Sequence, residues 1–153
     1  MRASSVLAAG AWDPAREIDR VLLTHEDRHR RRVLLRTEGG REVLLDLPAA
    51  QRLRQDDGLV CDGGVVRVCA KPEALLEIRA KDAELLLRLA WHVGNRHMPL
   101  QVLGRALRIP ADHVIAEMVE KLGGSVVLLE AAFEPEAGAY AGHQHGKAVK
   151  ASG

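Results

Sequence analysis

Aromatic side chains are scarce in this 153-residue chain, at 3% of the whole. The core must therefore come from Leu, Val, Ile and Ala, and few rings are left on which nucleobases could stack. Cysteine is scarcer still. Cys61 and Cys69 are the only two, and their spacing excludes a CxxC site. A hairpin read around Gly63-Gly64 sets Cys61 opposite Val66 and Cys69 opposite Gly58. The two sulfurs then fall on opposite sheet faces, which argues against a disulfide and against a shared metal. No run of about 18 apolar residues is present, so no membrane-spanning helix is expected. An excess of either charge sign is missing too: 22 Lys and Arg stand against 21 Asp and Glu. That balance gives no global pull toward nucleic acid or an anionic membrane. P-loop, GxGxxG, HExxH and GxSxG patterns are all absent. The mildly apolar Met1 to Trp12 soon meets Asp13, Arg16 and Glu17, a poor export signal. It reads as a loose N-terminal arm on a cytoplasmic protein.

What is present divides in two. From Arg20 to about Ala70 the signals are short strands: Arg20–Thr24, Val33–Thr37, Glu42–Leu47, Leu59–Cys61 and Val65–Cys69. Gly39-Gly40 and Gly63-Gly64 mark hairpins. Pro48 is expected to stop its strand, with Ala49 to Gln55 as a helical turn. His25 to Arg32 is too basic to be core. The result is a small, mostly antiparallel β domain over residues 1–71, closed by Lys71-Pro72.

Residues 72–140 follow another rhythm. Leu75–Arg79 reads as a strand, Asp82 as an N-cap and Ala83 to Val93 as a helix. Leu85, Leu86, Leu89 and Val93 line one face, while Leu87 and Trp91 carry the apolar arc well beyond it. The excess calls for a second partner surface, and a homodimer is the simplest supplier. Met98–Leu103 and Arg105–Ile109 read as strands. Pro110 is placed in the first turn of a second helix, with Asp112 near its positive end. Ile115, Met118, Val119 and Leu122 form its core stripe, Gly123-Gly124 ends it, and Ser125–Leu129 is a last strand. The order βαββαβ is the ferredoxin-like arrangement. Residues 141–153 read as a flexible tail holding His143 and His145.

Histidine is the residue type left to carry chemistry. His25 and His29 sit among arginines that repel a dication, and read as a solvated basic face. His92 reads as a boundary histidine capping a helix C-terminus. His113, on the polar side of a helix near its N-terminus, reads first as a solvated helix residue, with a neutral imidazole that can hold a metal weakly as the alternative. His97 begins a strand after a Gly94-Asn95 helix break, and reads equally as a turn residue or a ligand. His143 and His145 have no structural duty, and imidazoles in a glycine-flanked tail can move onto an ion held elsewhere.

The words Trp91-His92-Val93-Gly94-Asn95-Arg96-His97-Met98-Pro99-Leu100-Gln101, Asp112-His113-Val114-Ile115 and Phe133-Glu134-Pro135-Glu136-Ala137-Gly138-Ala139-Tyr140 settle on one likeness. In order and spacing they resemble the UreE family of urease accessory proteins, which carry nickel. Glu42-Val43-Leu44-Leu45-Asp46-Leu47-Pro48 and the hairpin from Gly58 to Ala70 resemble the family's N-terminal domain. The resemblance implies a homodimer joined through the ferredoxin-like domains, no enzymatic reaction, and Ni²⁺ as cargo. It implies that His97 of each subunit holds one shared ion and that His143 or His145 completes the shell. Asn95 and Arg96 become support for that site, and His113 and His92 possible secondary ligands. His113 lacks a partner that some relatives have, because Ala111 stands two positions before it. The resemblance also implies a peptide-binding-like N-terminal domain and, as partners, a urease accessory GTPase and the apo-urease assembly complex. An imidazole site without thiolate suits Ni²⁺ and lets Zn²⁺ or Cu²⁺ substitute.

Two other functions share the fold class. An acylphosphatase-like enzyme would use an Asn and an Arg, as in Asn95-Arg96, but needs a phosphate cradle that the chain does not show. An RNA-binding module would use the basic stretch from Arg28 to Arg36, but needs sheet aromatics.

Overall fold

The computed structural model describes residues 1–138. The expected tail, 141–153, lies outside the described residues, as do His143 and His145. The described residues form two compact units, Met1–Lys71 and Pro72–Gly138.

The first unit is built from two sheets over one core. Strands β1 (Arg2–Ala3), β5 (Glu42–Arg52) and β4 (His29–Arg36) form one sheet in the order β1-β5-β4. Strands β2 (Ser5–Leu7), β6 (Gly58–Cys61), β7 (Gly64–Ala70) and β3 (Glu17–Leu23) form the other, in the order β2-β6-β7-β3. Alternate residues from both sheets, such as Leu35, Val43 and Leu45 from one and Val21, Leu59, Val66 and Val68 from the other, meet in a single apolar cluster. Three of the five strand pairs are antiparallel; β1 with β5 and β3 with β7 are parallel.

Several expectations for this unit need correction. The N-terminal stretch is not a loose arm. Ala3 is fully buried, Leu44 N–H donates to Met1 O at 2.8 Å, and Trp12 Nε1 donates to Asp56 O at 3.0 Å. The Arg67 guanidinium lies 5.1 Å from the Trp12 ring centre. Arg28, assigned to a solvated face, is 0% exposed. Its chain sits in the turn between β3 and β4, where Leu53 N–H donates to Arg28 O and Arg28 Nη1 donates back to Leu53 O. A long side chain can be enclosed when its charged end reaches a carbonyl.

Pro48 does not end its strand, and no helical turn follows it. β5 runs on to Arg52, and the β4–β5 register jumps between Arg30↔Gln51 and Arg32↔Asp46. Pro48 lies in that irregular stretch, where its missing N–H costs no ladder bond. The hairpin after Cys61 turns one residue earlier than expected, with Cys61↔Gly64 and Leu59↔Val66 paired, so each partner moves by two. A shift of two keeps the faces unchanged, so Cys61 still points into the core and Cys69 away from it.

The second unit runs β8 (Pro72–Arg79), α1 (Ala83–Asn95), β9 (Gln101–Leu103), β10 (Ala106–Pro110), α2 (His113–Lys121) and β11 (Ser125–Ala132). Its sheet has the order β11-β8-β10-β9, antiparallel throughout. This is the ferredoxin-like βαββαβ fold. Leu76, Ile78, Leu107 and Ile109 of the sheet pack with Leu89 and Val93 of α1 and with Ile115 and Val119 of α2. Asp82 caps α1 by accepting from Leu85 N–H at 2.8 Å. Asp112 caps α2 by accepting from Val114 and Ile115 N–H at 2.9 and 3.1 Å. Pro110 belongs to the end of β10 rather than to the first turn of α2. A Cβ on Gly124 would stand 2.7 Å from Leu89 Cδ1 and 2.8 Å from Val119 Cγ1. The close return of the chain beneath both helices therefore needs glycine there.

Candidate metal centre

α1 does not break at Gly94-Asn95. Both residues are helical, and Arg96 is the cap. The reversal falls on His97, whose φ is +59°. His97 N–H donates to Gly94 O at 3.0 Å, and Met98 N–H donates back to Val93 O at 3.4 Å. Those two bonds make a Schellman ending, in which the left-handed position is usually glycine. A side chain with a Cβ pays about 1–2 kcal/mol to sit there. Met98 and Val93 both pack in the apolar core, and this anchors the turn from below. The outcome is an exposed imidazole on a rigid, strained corner at the end of α1. A left-handed residue that is exposed and has no packing role is a candidate for function.

The chain beyond β11 returns to this corner. Phe133 is fully buried. Glu134 N–H donates to Gln101 Oε1 at 3.1 Å, Glu136 N–H to Leu100 O at 2.7 Å, and Val102 N–H to Glu136 Oε1 at 3.0 Å. The segment 133–136 is thus stapled along residues 100–102, a few residues after His97. Gln101 and Glu136 lie in the stretches that carry the family resemblance, but no local pattern marks their bonding role. Phe133 and Pro135 were the available signal, because a buried ring and a proline fix a chain's exit.

The other nominated residues are spread out. His92 is half-buried, with its ring edge-on to Trp91 at 5.0 Å. With Arg96, Val114, Glu117, Met118, Lys121 and Leu122 it lines a hollow of about 460 Å³ between the helices. His113 begins α2, exposed, beside a separate hollow of about 490 Å³ that Leu76, Ala116 and Leu128 also line. Asn95 and Arg96 contribute backbone to the helix end. Neither side chain makes a hydrogen bond or ion pair among the described residues. Among the described residues no group of three or more His, Cys, Asp or Glu could hold a metal ion. A complete coordination shell at His97 therefore needs ligands from elsewhere.

The titratable groups that do shift are structural. Arg79 and Arg108 clamp Glu77 on the sheet and hold its carboxyl below the usual value. Burial pushes both cysteine thiols up, which makes them poor ligands and poor nucleophiles.

Comparison with known sequences decides the family. The profile of the UreE urease accessory protein C-terminal domain matches residues 73–152, and that of the N-terminal domain matches residues 3–71. The chain belongs to the UreE family of urease accessory proteins. It is 51% identical over 150 residues to the urease accessory protein UreE of Rhodopseudomonas palustris strain HaA2, covering 97% of this chain and 69% of that one. It is 51% identical to the protein of the same name from Bradyrhizobium sp. strain ORS 278, over 95% of this chain and 70% of that one. For the one from Chelativorans sp. strain BNC1 the identity is 46%, over 95% of this chain and 90% of the relative. UreE proteins are accessory proteins of urease assembly rather than enzymes, and the resemblance read from the Trp91 to Gln101 stretch is correct.

Proposed function

We propose that this chain is a nickel carrier that holds Ni²⁺ at a homodimer interface and hands it on for urease assembly. The observation that carries this is the imidazole of His97 in a glycine position. The fold accepts strain to present it, and nothing in its own unit uses the side chain. One imidazole is a poor site, but a two-fold axis beside it supplies a second. Leu87 and Trp91, 71% and 64% exposed on the outer side of α1, offer the apolar surface for such a dimer.

His143 or His145 closes the shell. Glu136 is held against Leu100, and seven further residues span up to about 25 Å when extended. His97 lies three residues from Leu100, within about 11 Å, so both tail histidines can reach it. A ligand on such a tether can let go, which a carrier requires and a structural zinc site does not. Asn95 and Arg96 act as site support by fixing the helix end, while His92 and His113 are at most secondary ligands. Nothing in an imidazole set selects nickel, and Zn²⁺ and Cu²⁺ compete for it. The supply of metal in the cytoplasm and the receiving partner set the cargo. That partner is an accessory GTPase working with apo-urease, and the peptide-binding-like N-terminal unit is a further docking surface.

The test is delivery. The chain is loaded with Ni²⁺, freed of unbound metal and mixed with apo-urease and its assembly factors. Urease activity should appear with the parent and not with His97→Ala. Equal activation by the two would end the proposal.

A further inference from the structure

We infer that the groove between α1 and α2 docks an acidic amphipathic helix of the protein that receives the ion, a reading that rests on the carrier function above. Val114, Met118 and Leu122 stand at i, i+4 and i+8 along α2, and His92 and Arg96 stand at i and i+4 along α1. They line one hollow of about 460 Å³. Val114 is 50% exposed and Leu122 40%. The apolar row is about 12 Å long, from the 1.5 Å rise per residue.

The occupant's shape follows from the walls. Both sides of the groove are helices whose backbone groups are used internally, so a strand would find no edge to pair with. A third helix can lay a ridge of side chains into the groove between two others, with anchors at i, i+3 or i+4 and i+7. Its charge follows from the rim. The lining holds two cations, Arg96 and Lys121, and one carboxylate, Glu117, and neither cation has an ion-pair partner among the described residues. Cations suit the last turns of helices for dipole reasons alone. That accounts for the charges, but it does not account for an apolar row left open between them. An occupant with leucines on one face and carboxylates beside them answers both features.

Position links the groove to the cargo. Arg96 lines the groove and is bonded directly to His97, so a helix seated there ends beside the corner that presents the imidazole. A second copy of this chain fits the groove less well. Leu87 and Trp91 are not among the residues that line the groove; a dimer through them meets it only at its edge, where the Trp91 ring touches His92. Two cations against a carboxylate are too few for a nucleic-acid backbone.

The probe is a fluorescein-labelled 18-residue helical peptide with leucines at i, i+4, i+7 and i+11 and glutamates on both flanks. Its twin carries lysines in place of the glutamates. Anisotropy is measured on the full chain without metal. The acidic peptide should bind and the lysine twin should bind at least tenfold more weakly. Val114→Asp should weaken the acidic peptide at least tenfold, and Lys121→Glu should reverse the preference between the twins. Both positions are exposed, so circular dichroism should stay that of the parent, and Ni²⁺ affinity should be unchanged. The inference is overturned if the acidic peptide does not bind, if the twins bind alike, or if both variants behave as the parent. It is also overturned if Val114→Asp splits the parent's oligomer in light scattering, because the groove then belongs to a second copy. A parent that fails to bind Ni²⁺ would strike the carrier reading alone, since the peptide assay contains no metal.

Discussion

Replacing His97 by glycine separates what the residue does for the fold from what it does for a metal. With φ at +59°, His97 bears the left-handed penalty of about 1–2 kcal/mol. Glycine removes that penalty but adds freedom to the unfolded chain, worth about 0.4–1 kcal/mol against folding. The net effect is about 0–1.6 kcal/mol in favour of the variant. No packing is lost, because the imidazole is exposed. The bonds from His97 N–H to Gly94 O and from Met98 N–H to Val93 O are backbone bonds and survive. For a unit of this size 1 kcal/mol moves Tm by roughly 4–8 °C. Thermal unfolding followed by circular dichroism should therefore show His97→Gly as stable as the parent or a few degrees better. His97→Ala keeps the strain and should not gain. Calorimetric titration of the same samples should show the tight Ni²⁺ site gone from both variants. A His97→Gly protein that melts well below the parent would show that the imidazole holds the corner together. One that keeps the parent's nickel affinity would show that it is not a ligand. Either result refutes the reasoning.

Other consequences can be checked alongside. Leu87→Glu with Trp91→Glu places charge on the outer face of α1, so light scattering should give a monomer mass while circular dichroism stays helical. Gly124→Ala pushes a methyl within 2.8 Å of Leu89 and Val119; overpacking of this kind costs about 1–3 kcal/mol, and urea unfolding should show a lower midpoint. Glu77 is held below its usual value of 4.5 by the hydrogen bonds of Arg79 and Arg108. A lowered folded value means stability that is complete above about pH 4.5 and is lost as pH falls through the folded value. Acid unfolding of Arg108→Met should begin at a higher pH than that of the parent. Nickel binding should weaken on acidification, because protons compete for the same imidazole nitrogens, measurable with a metal-competition dye.

The second unit was largely legible in the chain because its signals are local. Asp82 and Asp112 announce helix starts, and Ile115, Met118, Val119 and Leu122 repeat at the helical period. The first unit was less so. β3 pairs in parallel with β7 almost fifty residues later, and β1 pairs with β5, and no local pattern encodes such partners. Pro48 misled because a proline stops a strand only where its N–H is needed. Arg28 misled because composition cannot tell a charged stem that finds a carbonyl from one that finds water. At the site, Gly94 drew the expected break three residues too early. The backbone reversal that matters is on His97, where sequence rules favour glycine and the chain has placed an imidazole instead. A local rule broken without any packing benefit was the clearest structural pointer to function, and it was visible only once the dihedral angle was known.

The central claim is that His97 binds nickel jointly with a second copy. The most direct measurement is a Ni²⁺ titration of the parent chain with mass followed by light scattering at each addition. The account predicts a dimer mass throughout, a tight site filled by one ion for every two chains, and loss of that site in His97→Ala. A tight ion held by each chain separately, or a site untouched by His97→Ala, would contradict it.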